Sequence, residues 1–366
     1  MKEFHSENNS SQELHVLARS RQVPLIIWIV GLVGLAFLAI FIALAVGSSN
    51  LTVRGSYEIL LSRIPGLQNL VDGSKWTENY HTIVFKLRLP RILISFFAGA
   101  GLSVVGSVFQ SMFRNQLADP HILGISSGAA FGATLAIVLG LGVGRLGLGS
   151  IGFFAFVFAL LTIFFVYKTS GGAGSKGMAN ILLVGVAVNT LLSSLISLLM
   201  LFHKDSIVKV YMWTLGSFTA SNWEKFRFLL IVFVPTTVYL LTQGRVLNTL
   251  LCGDEEAMSL GLDVGKVRRR LIFVSGLLIA AIVSVSGIIG FVGLIIPQYL
   301  RMLKEGDLRR QLPLALLSGG IFVLFCDTLS RTLLPPMEIP VGVITSIFGV
   351  PYFLSVLFWS RRKGGL

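Results

Sequence analysis

Charged side chains are scarce in this 366-residue chain, and cysteine is almost missing. Aspartate, glutamate, lysine and arginine together make up 13% of the residues, against roughly 25% in soluble globular domains. A composition so poor in charge argues against a soluble enzyme. The two cysteines, Cys252 and Cys326, fall in a predicted loop and a predicted membrane span, so no disulfide is expected.

The motifs that would mark an enzyme are also missing. The stretch GGAGSKG over residues 171–177 has Ser175 before Lys176 and no preceding strand, so it does not fit a phosphate-binding loop. The five histidines form no H-E-x-x-H pattern, and no G-x-S-x-G motif occurs. We therefore predict no catalytic residue, no metal site and no cofactor bound by this chain. Because the chain cannot hydrolyse ATP by itself, any energy that drives its function must come from an ion gradient or a partner protein.

Long apolar runs, by contrast, are abundant. The first, residues 25–46, contains no charge, and about 20 apolar residues are enough for a helix to cross a bilayer. Backbone amides in the bilayer must be hydrogen-bonded within their own segment, so these runs are predicted to be helices. The expected fold class is an all-α polytopic membrane protein with about ten transmembrane helices. The predicted spans are residues 25–47, 92–113, 122–140, 149–167, 181–202, 227–243, 271–289, 290–303, 313–331 and 341–359.

The span over residues 290–303 is the least regular, because it is short and contains Pro297. An even number of spans places both termini on one side, and the excess of basic residues in short loops predicts that side to be cytoplasmic. Residues 1–24 then form a cytoplasmic tail, and residues 25–366 form a single transmembrane domain. The net charge of +13 is attributed to these loops rather than to binding of nucleic acid.

The longest predicted cytoplasmic loop, residues 244–270, has the composition of one or two short helices. Asp254, Glu255 and Glu256 suit a helix N-terminus, and Gly261 suits a helix end. The pattern alone leaves two interpretations open, a solvated connector and an element that a soluble partner grips.

Few polar side chains occur inside the predicted spans. Asp327 stands four residues before Arg331, so the two can pair on one helix face near the outer end of a span. A carboxylate at membrane depth can also serve in a proton relay. Asn189, Ser193 and Ser197 either line an aqueous path or make hydrogen bonds between helices.

In order between Lys86 and the C-terminus, the chain contains LRLPR at 87–91, NQLADPHILGISSG at 115–128, AMSLGL at 257–262, GFVGLIIP at 290–297 and EIPVGVIT at 338–345. Together these strings resemble the FecCD-type permeases of ABC importers, which move iron–siderophore, haem or cobalamin. Two positions depart from the family's pattern. Gln298 stands where histidine is usual, and Gln116 stands where the first proline of N-P-L-A-D-P is usual.

The resemblance implies a second permease copy or paralogue in the lipid bilayer, two cytoplasmic ATPase subunits that use ATP and Mg²⁺, and an extracytoplasmic substrate-binding protein. In that family, arginines at the external ends of two spans receive acidic residues of the binding protein. The matching positions are Arg88, Arg91 and Arg331, although snorkelling at the membrane interface would also place arginines there. The coupling loop, residues 244–270, resembles the segment that sits on each ATPase subunit. Its matching residues are Gly253, Glu255, Glu256, Ala257, Leu260 and Gly261.

By the same resemblance, the translocation path runs between two permease copies, along the fifth and tenth spans. Its tentative lining is Asn189, Ser193, Ser197 and Thr345, with residues 210–220 at its mouth. The implied function is that of a permease subunit for a metal chelate, with an iron–siderophore as first expectation and haem or cobalamin as the next cargoes to consider. Two further functions stay open. One is an ion-coupled secondary transporter, which only Asp327 supports, and the second is a membrane scaffold without transport.

Overall fold

A computed structural model of the chain describes residues 24–46, 53–62, 78–141, 148–172, 175–303 and 305–362, and within these ranges it contains helices but no strand. The predicted tail, apart from residue 24, lies outside the described residues. In chain order the helices are α1 (Leu25–Ala45), α2 (Val53–Leu61), α3 (Glu78–Thr82), α4 (Leu89–Met112), α5 (Ile125–Val138), α6 (Gly149–Thr169), α7 (Ser175–Phe202), α8 (Ile207–Thr214), α9 (Trp223–Thr242), α10 (Gly244–Cys252), α11 (Asp254–Ser259), α12 (Val264–Ser286), α13 (Val292–Met302), α14 (Leu308–Thr332) and α15 (Val341–Arg362).

Each predicted span coincides with a helix. Among the described residues, 7 helical stretches are long and apolar enough to cross a bilayer. The shorter α5 and α13 and the described apolar part of α15 account for the remaining three spans. The chain is therefore an all-α, multi-pass membrane protein, in agreement with the predicted fold class.

The span predicted over residues 92–113 begins much earlier, because one continuous helical stretch runs from Glu78 to Met112. Its part from Ile83 to Arg88 is a π-helix. Pro90 accounts for the wide turn, since it has no N–H and its ring would clash with the carbonyl four residues earlier in a regular α-helix. The widened turn lets the helix continue past the proline.

Glycines set the close packing of α4, most of which is buried. A Cβ atom on Gly99 would lie 2.2 Å from the carbonyl oxygen of Gly319 in α14, and one on Gly106 would lie 2.1 Å from that of Gly293 in α13. Small residues at helix interfaces in membranes allow backbones to approach in this way. The centre of the bundle is thus built around α4.

Two ends of the bundle are important for the site. The arginine end is the one where α4 begins and α14 finishes, and it carries Arg88, Arg91 and Arg331. The loop end is the opposite one, where α4 finishes, α14 begins and the coupling loop lies. Arg114, just after α4, contacts Asp254 of α11 at the loop end.

The irregular span predicted around Pro297 is confirmed as short. α13 has 11 residues, about 16 Å at 1.5 Å per residue, which is about half of a hydrocarbon layer of about 30 Å. The non-helical residues 287–291 precede it. The backbone there packs against the segment after α8, where the N–H of Ser217 donates to the carbonyl of Ser286 at 2.7 Å. Irregular backbone is tolerated at membrane depth where protein buries it.

Candidate functional site

A buried charge cluster at the arginine end is centred on Asp327. The Asp327 side chain is fully buried, and Arg91 donates to its two oxygens over 2.9 to 3.3 Å. The Nη1 atom of Arg91 also donates to both oxygens of Glu338, at 3.0 and 2.9 Å. Arginine–carboxylate forks are among the strongest hydrogen-bonded pairs. They tie α4 to α14 and to the segment before α15.

Arg331 lies on the other side of the same carboxylate. Its Nε atom is 3.3 Å from Oδ2 of Asp327, so the pair predicted on one helix face is present. Asp327 also forms an ion pair with Arg91. The Nη atoms of Arg331 reach the carbonyl oxygens of Ala43 and Val46 at 3.3 and 3.4 Å. These carbonyls belong to the C-terminal end of α1, where unpaired acceptors favour a cation.

Arg88 contacts the same end of α1. Its Nη1 atom donates to the carbonyl of Leu44 at 2.9 Å and to Oγ of Ser56 in α2 at 3.1 Å. Arg88, Arg91 and Arg331 are all buried, at no more than 8% exposure. In this conformation they do not offer free guanidinium groups to a docking protein. Their direct contact with a binding protein stays a prediction, and it would require them to leave their present partners.

Sequence reasoning missed Glu338, which links the charge cluster to the predicted mouth. Its Oε2 atom accepts a hydrogen bond from Oγ1 of Thr219 at 2.8 Å. The mouth predicted over residues 210–220 consists of the end of α8 and a non-helical segment, whose Gly216 carbonyl accepts from the N–H of Val341 at 3.0 Å. The position of a lone carboxylate just before the last span is the signal that could have identified Glu338.

The coupling loop begins with two short helices, α10 and α11, which meet at Gly253. Gly253 has a φ of 133°, in a region where a side chain would be strained. Asp254, Glu255 and Glu256 occupy the first turn of α11, as predicted. Gly261 follows the helix with a φ of 82°, and an added Cβ would meet nothing within 4 Å there. The need for glycine at residue 261 is therefore conformational rather than steric.

Asp254 anchors α11 to the bundle. Its carboxylate accepts hydrogen bonds from Arg268 of α12 at 2.7 and 2.8 Å and from Arg114 at 2.7 Å. Arg268 is 2% exposed, whereas Glu255 and Glu256 are exposed. The first acidic residue therefore holds the loop in place, and the two that follow it are free to meet a partner.

Ala257 lies on the inner face of α11 and is fully buried in this structure, so its expected contact with an ATPase subunit stays a prediction that would require this face to open. The exposed apolar side chains are Met258 and Leu260, at 55% and 74% exposure. Leu260 therefore fits the expected contact surface. Met258 was missed, and no local signal identifies it, because a six-residue helix has too little periodicity to reveal which residues face outward.

The polar residues proposed for the translocation path divide into two groups. Asn189, Ser193 and Ser197 follow one another at intervals of four on α7, and all three are exposed, so they share one helix face. Oδ1 of Asn189 accepts from Oγ of Ser127 in α5. Oγ of Ser197 donates to the carbonyl of Ser193 at 3.0 Å. A continuous polar stripe thus runs along an otherwise apolar face.

Thr345 does not join this group. It is fully buried, and its hydroxyl donates to the carbonyl of Gly342 within α15 at 3.1 Å. In this conformation Thr345 faces the interior of the bundle, so its expected place in the lining of a path stays a prediction. The neighbouring Ile347 is exposed instead, so the surface that α15 offers to a path is apolar.

Comparison with known proteins gives matches over nearly the whole chain. Among curated relatives, a hemin transport system permease protein of Yersinia pestis is 38% identical over 330 residues, which cover 89% of this chain and 95% of the relative. A molybdate import system permease protein of Haemophilus influenzae is 35% identical over 92% of this chain and 96% of its own length. A cobalamin import system permease protein of Halobacterium salinarum is 41% identical over 76% of this chain and 74% of its own length.

A solved structure described as an inward-facing conformation of a putative metal-chelate type ABC transporter is similar to this chain. Its TM-score is 0.77 and its identity 33%, with 90% of this chain and 98% of the solved chain covered. The profile of the FecCD transport family matches residues 35–359. This match extends from within α1 into α15 and includes both the charge cluster and the coupling loop. The chain therefore belongs to the FecCD transport family of ABC importer permeases.

Proposed function

We propose that this chain works as one of a pair of permease subunits, together with two cytoplasmic ATPase subunits and an extracytoplasmic binding protein. The observation that carries the proposal is the anchored coupling loop. Glu255 and Glu256 of α11 and Leu260, which follows the helix, are exposed to a partner. Asp254 fixes the same helix to the bundle through Arg114 and Arg268. An element with one free face and one fixed face suits the transfer of force.

The fixed face connects the coupling loop to two long helices. Arg114 follows the end of α4, and Arg268 belongs to α12, so a displacement of α11 acts on both helices. α12 runs to the arginine end, where the carbonyl of Ser286 bonds the backbone of Ser217 beside the predicted mouth. The two access states would be selected by nucleotide binding to the ATPase subunits. In this proposal ATP and Mg²⁺ bind those subunits and not this chain.

The proposed cargo is a metal chelate, with an iron–siderophore complex as the first choice and haem or cobalamin as the second. Support comes from the face of α7 that carries Asn189, Ser193 and Ser197, since its further exposed residues include Leu183, Val186 and Leu201. A wide apolar surface with a few hydroxyl and amide groups suits a large chelate of low surface polarity. The names of the relatives add molybdate to the cargoes that the experiment must include.

We place the arginine end outside the cell and the loop end in the cytoplasm of a bacterium or archaeon, with both termini cytoplasmic. This orientation lets the ATPase subunits reach α11. It also puts the binding protein at the arginine end, where the mouth residues lie.

The arrangement around Asp327 disfavours an ion-coupled carrier. A proton relay needs a carboxylate that changes its protonation during the cycle. Asp327 instead holds two guanidinium groups, those of Arg91 and Arg331, at 2.9 and 3.3 Å. These two ion pairs account for the buried carboxylate as a structural link between α4 and α14.

The test is transport by the reconstituted complex. The chain is co-expressed with an ATPase subunit and a binding protein from the same organism, and the complex is placed in vesicles with ATP on the ATPase side. We expect one of four cargoes, an iron–siderophore, hemin, cobalamin or molybdate, to accumulate only when ATP and both partners are present. Uptake driven by a proton gradient in vesicles that contain this chain alone would show that the proposal is wrong.

A further inference from the structure

A cavity of about 920 Å³ lies at the arginine end, beside the charge cluster. The first turn of α6, one face of α8, the first turn of α9 and the end of α12 form its walls. The charged residues that line it are Lys209, Lys225 and Glu224. Trp213 of α8 also lines it. We refer to this cavity as the lysine cleft.

The two lysines of the cleft have no acidic partner. Within the described ranges, neither Lys209 nor Lys225 has a carboxylate within ion-pair distance, although Lys225 is partly buried in the first turn of α9. The first turns of α6 and α9 add the partial positive charge of helix N-termini. Glu224 is exposed. The cleft therefore holds an excess of positive charge that the described residues leave uncompensated.

This situation differs from that of the arginines nearby. Arg91 and Arg331 are held by Asp327, and the carbonyls of α1 take up the remaining donors of Arg331. A cation in a partly buried position without a counterion is costly, and an acidic group from outside would offset that cost. Among the described residues of the arginine end, the cleft is thus a place where an incoming carboxylate gains two cationic partners without displacing an existing one.

The position of the cleft on α8 favours a protein as its occupant over the cargo in transit. Lys209, Met212 and Trp213 are on the cleft side of α8, at the spacing of one helix face. The exposed apolar residues Val208 and Tyr211 lie on a different face of the same helix. Ser217 and Thr219 of the predicted mouth also line the cleft, so it opens beside the mouth, on the surface that a binding protein docked at the arginine end would cover.

We propose that the lysine cleft receives acidic side chains of the extracytoplasmic binding protein, with Lys209 and Lys225 as their counterions. The proposal rests on the function proposed above and names a docking surface for it. The partner is a lobe that presents one or more aspartate or glutamate side chains long enough to enter the cleft. Charges of this kind speed the encounter and fix the register of docking.

The experiment measures binding of the purified, ligand-loaded binding protein to the permease–ATPase complex. The test variant is Lys209→Glu with Lys225→Glu. The control is Lys86→Glu with Lys204→Glu, which makes the same change in net charge at exposed positions of the same end outside the cleft. At about 50 mM salt we expect the test variant to bind at least about tenfold more weakly and the control within about threefold of wild type, and the gap to shrink at about 500 mM.

Equal losses of affinity in the two variants would mean that only the overall electrostatic potential of the arginine end matters. Unchanged affinity in the test variant would mean that the binding protein does not use the cleft. Either result overturns the inference. A neutral pair, Lys209→Gln with Lys225→Gln, keeps the test valid if the charge-reversed protein does not fold, and it should lose part of the affinity. Failure of the chain to assemble with any ATPase or binding protein would instead refute the proposed function.

A small-molecule occupant is tested separately with citrate as a defined polycarboxylate. Citrate is titrated into the complex without binding protein, and the fluorescence of Trp213 in the cleft is followed against a Trp213→Phe variant. We expect no saturable change below millimolar citrate. Micromolar binding that is lost with Lys225→Gln would make the cleft a site for small anions and overturn its assignment to the binding protein.

Discussion

Asp327 is the residue on which the arginine end depends most. It joins Arg91 of α4 to Arg331 of α14 in a site without water access to the carboxylate, and Glu338 supplies the second acidic group for Arg91. A buried ion network of this type contributes little compared with an apolar core of the same volume, but the loss of one member leaves the others uncompensated. The carboxylate is therefore more sensitive to substitution than any exposed acid of the chain.

We expect Asp327→Asn to reduce the free energy of unfolding by about 3–5 kcal/mol, because two buried guanidinium groups lose their shared counterion. This is a larger effect than a single pair on one helix face would give. Thermal unfolding in detergent measures it, and Asp205→Asn, an exposed acid at the same end, is the matched control. An unchanged melting temperature for Asp327→Asn would contradict the structural role of the cluster.

The sequence revealed only part of this cluster. The spacing of Asp327 and Arg331 on one helix indicates their contact, because side chains four residues apart meet on a helix face. Arg91 is 236 residues away from Asp327, and nothing local in either helix indicates that they meet. The family motif identified all three arginines but not the direction of their side chains, which depends on how α1 covers them.

At the scale of elements, the coupling loop is a small rigid unit with a distinct partner face. Its helices were predictable from acids at a helix start and glycine at a helix end. The sequence did not indicate that Asp254 anchors the loop while Glu255 and Glu256 stay exposed, because this difference depends on Arg114 and Arg268 elsewhere in the chain. Burial of Ala257 was also not predictable, since a six-residue helix has too little periodicity to reveal its inner face.

We expect Glu255→Lys with Glu256→Lys to uncouple ATP hydrolysis from uptake while the chain still assembles in the membrane. The two carboxylates are exposed beside Leu260, so their reversal introduces repulsion at the proposed ATPase contact without disturbing the bundle. The measurement compares ATPase rate and uptake in vesicles, with Asp205→Lys plus Glu78→Lys at the arginine end as control. Coupled uptake at the wild-type rate in the test variant would rule out this contact.

The close packing of α4 gives a second prediction at this scale. We expect Gly106→Ala to destabilise the fold by about 1–3 kcal/mol or more, because overpacking of a tight interface costs about that much and the new Cβ meets the backbone of Gly293. Gly34→Ala in α1 is the matched control, since an added Cβ there meets nothing within 4 Å. Melting temperatures and yields of monodisperse protein compare the two. Equal stability of both variants would show that α4 and α13 do not approach as described.

At the scale of the whole molecule, the exposed faces of the bundle differ in polarity. The α7 face carries the stripe of Asn189, Ser193 and Ser197, whereas the exposed side of α6 presents Leu161, Phe164 and Phe165. Lipid suits the α6 face, and a path between two copies suits the α7 face. The ten-helix topology was predictable from hydropathy. Hydropathy does not indicate which helix face meets lipid and which borders the proposed path, because membrane helices are apolar on both kinds of surface.

We expect cysteines placed at Ser193 and Ser197 to react with a water-soluble maleimide in the assembled transporter. A cysteine at Phe164, exposed on α6, and one at the buried Thr345 should react little, because the first faces lipid and the second faces the core. The background carries Cys252→Ser, since Cys252 is exposed and Cys326 is buried. Equal labelling at residues 164 and 197 would contradict a water-filled path along α7.

The hydrogen bonds at the end of α1 bear on how the chain is made. The last carbonyls of this helix are bonded by Arg88 and by Arg331, and the second of these emerges from the ribosome roughly 15–60 s later at about 5–20 residues per second. In the nascent chain, the carbonyls at the end of α1 therefore lack the hydrogen bonds from Arg331 until α14 is inserted. Protease accessibility of α1 in stalled chains should fall only once α14 has been released. Although α1 precedes every other described helix in the chain, the hydrogen bonds at its end are thus among the last to form.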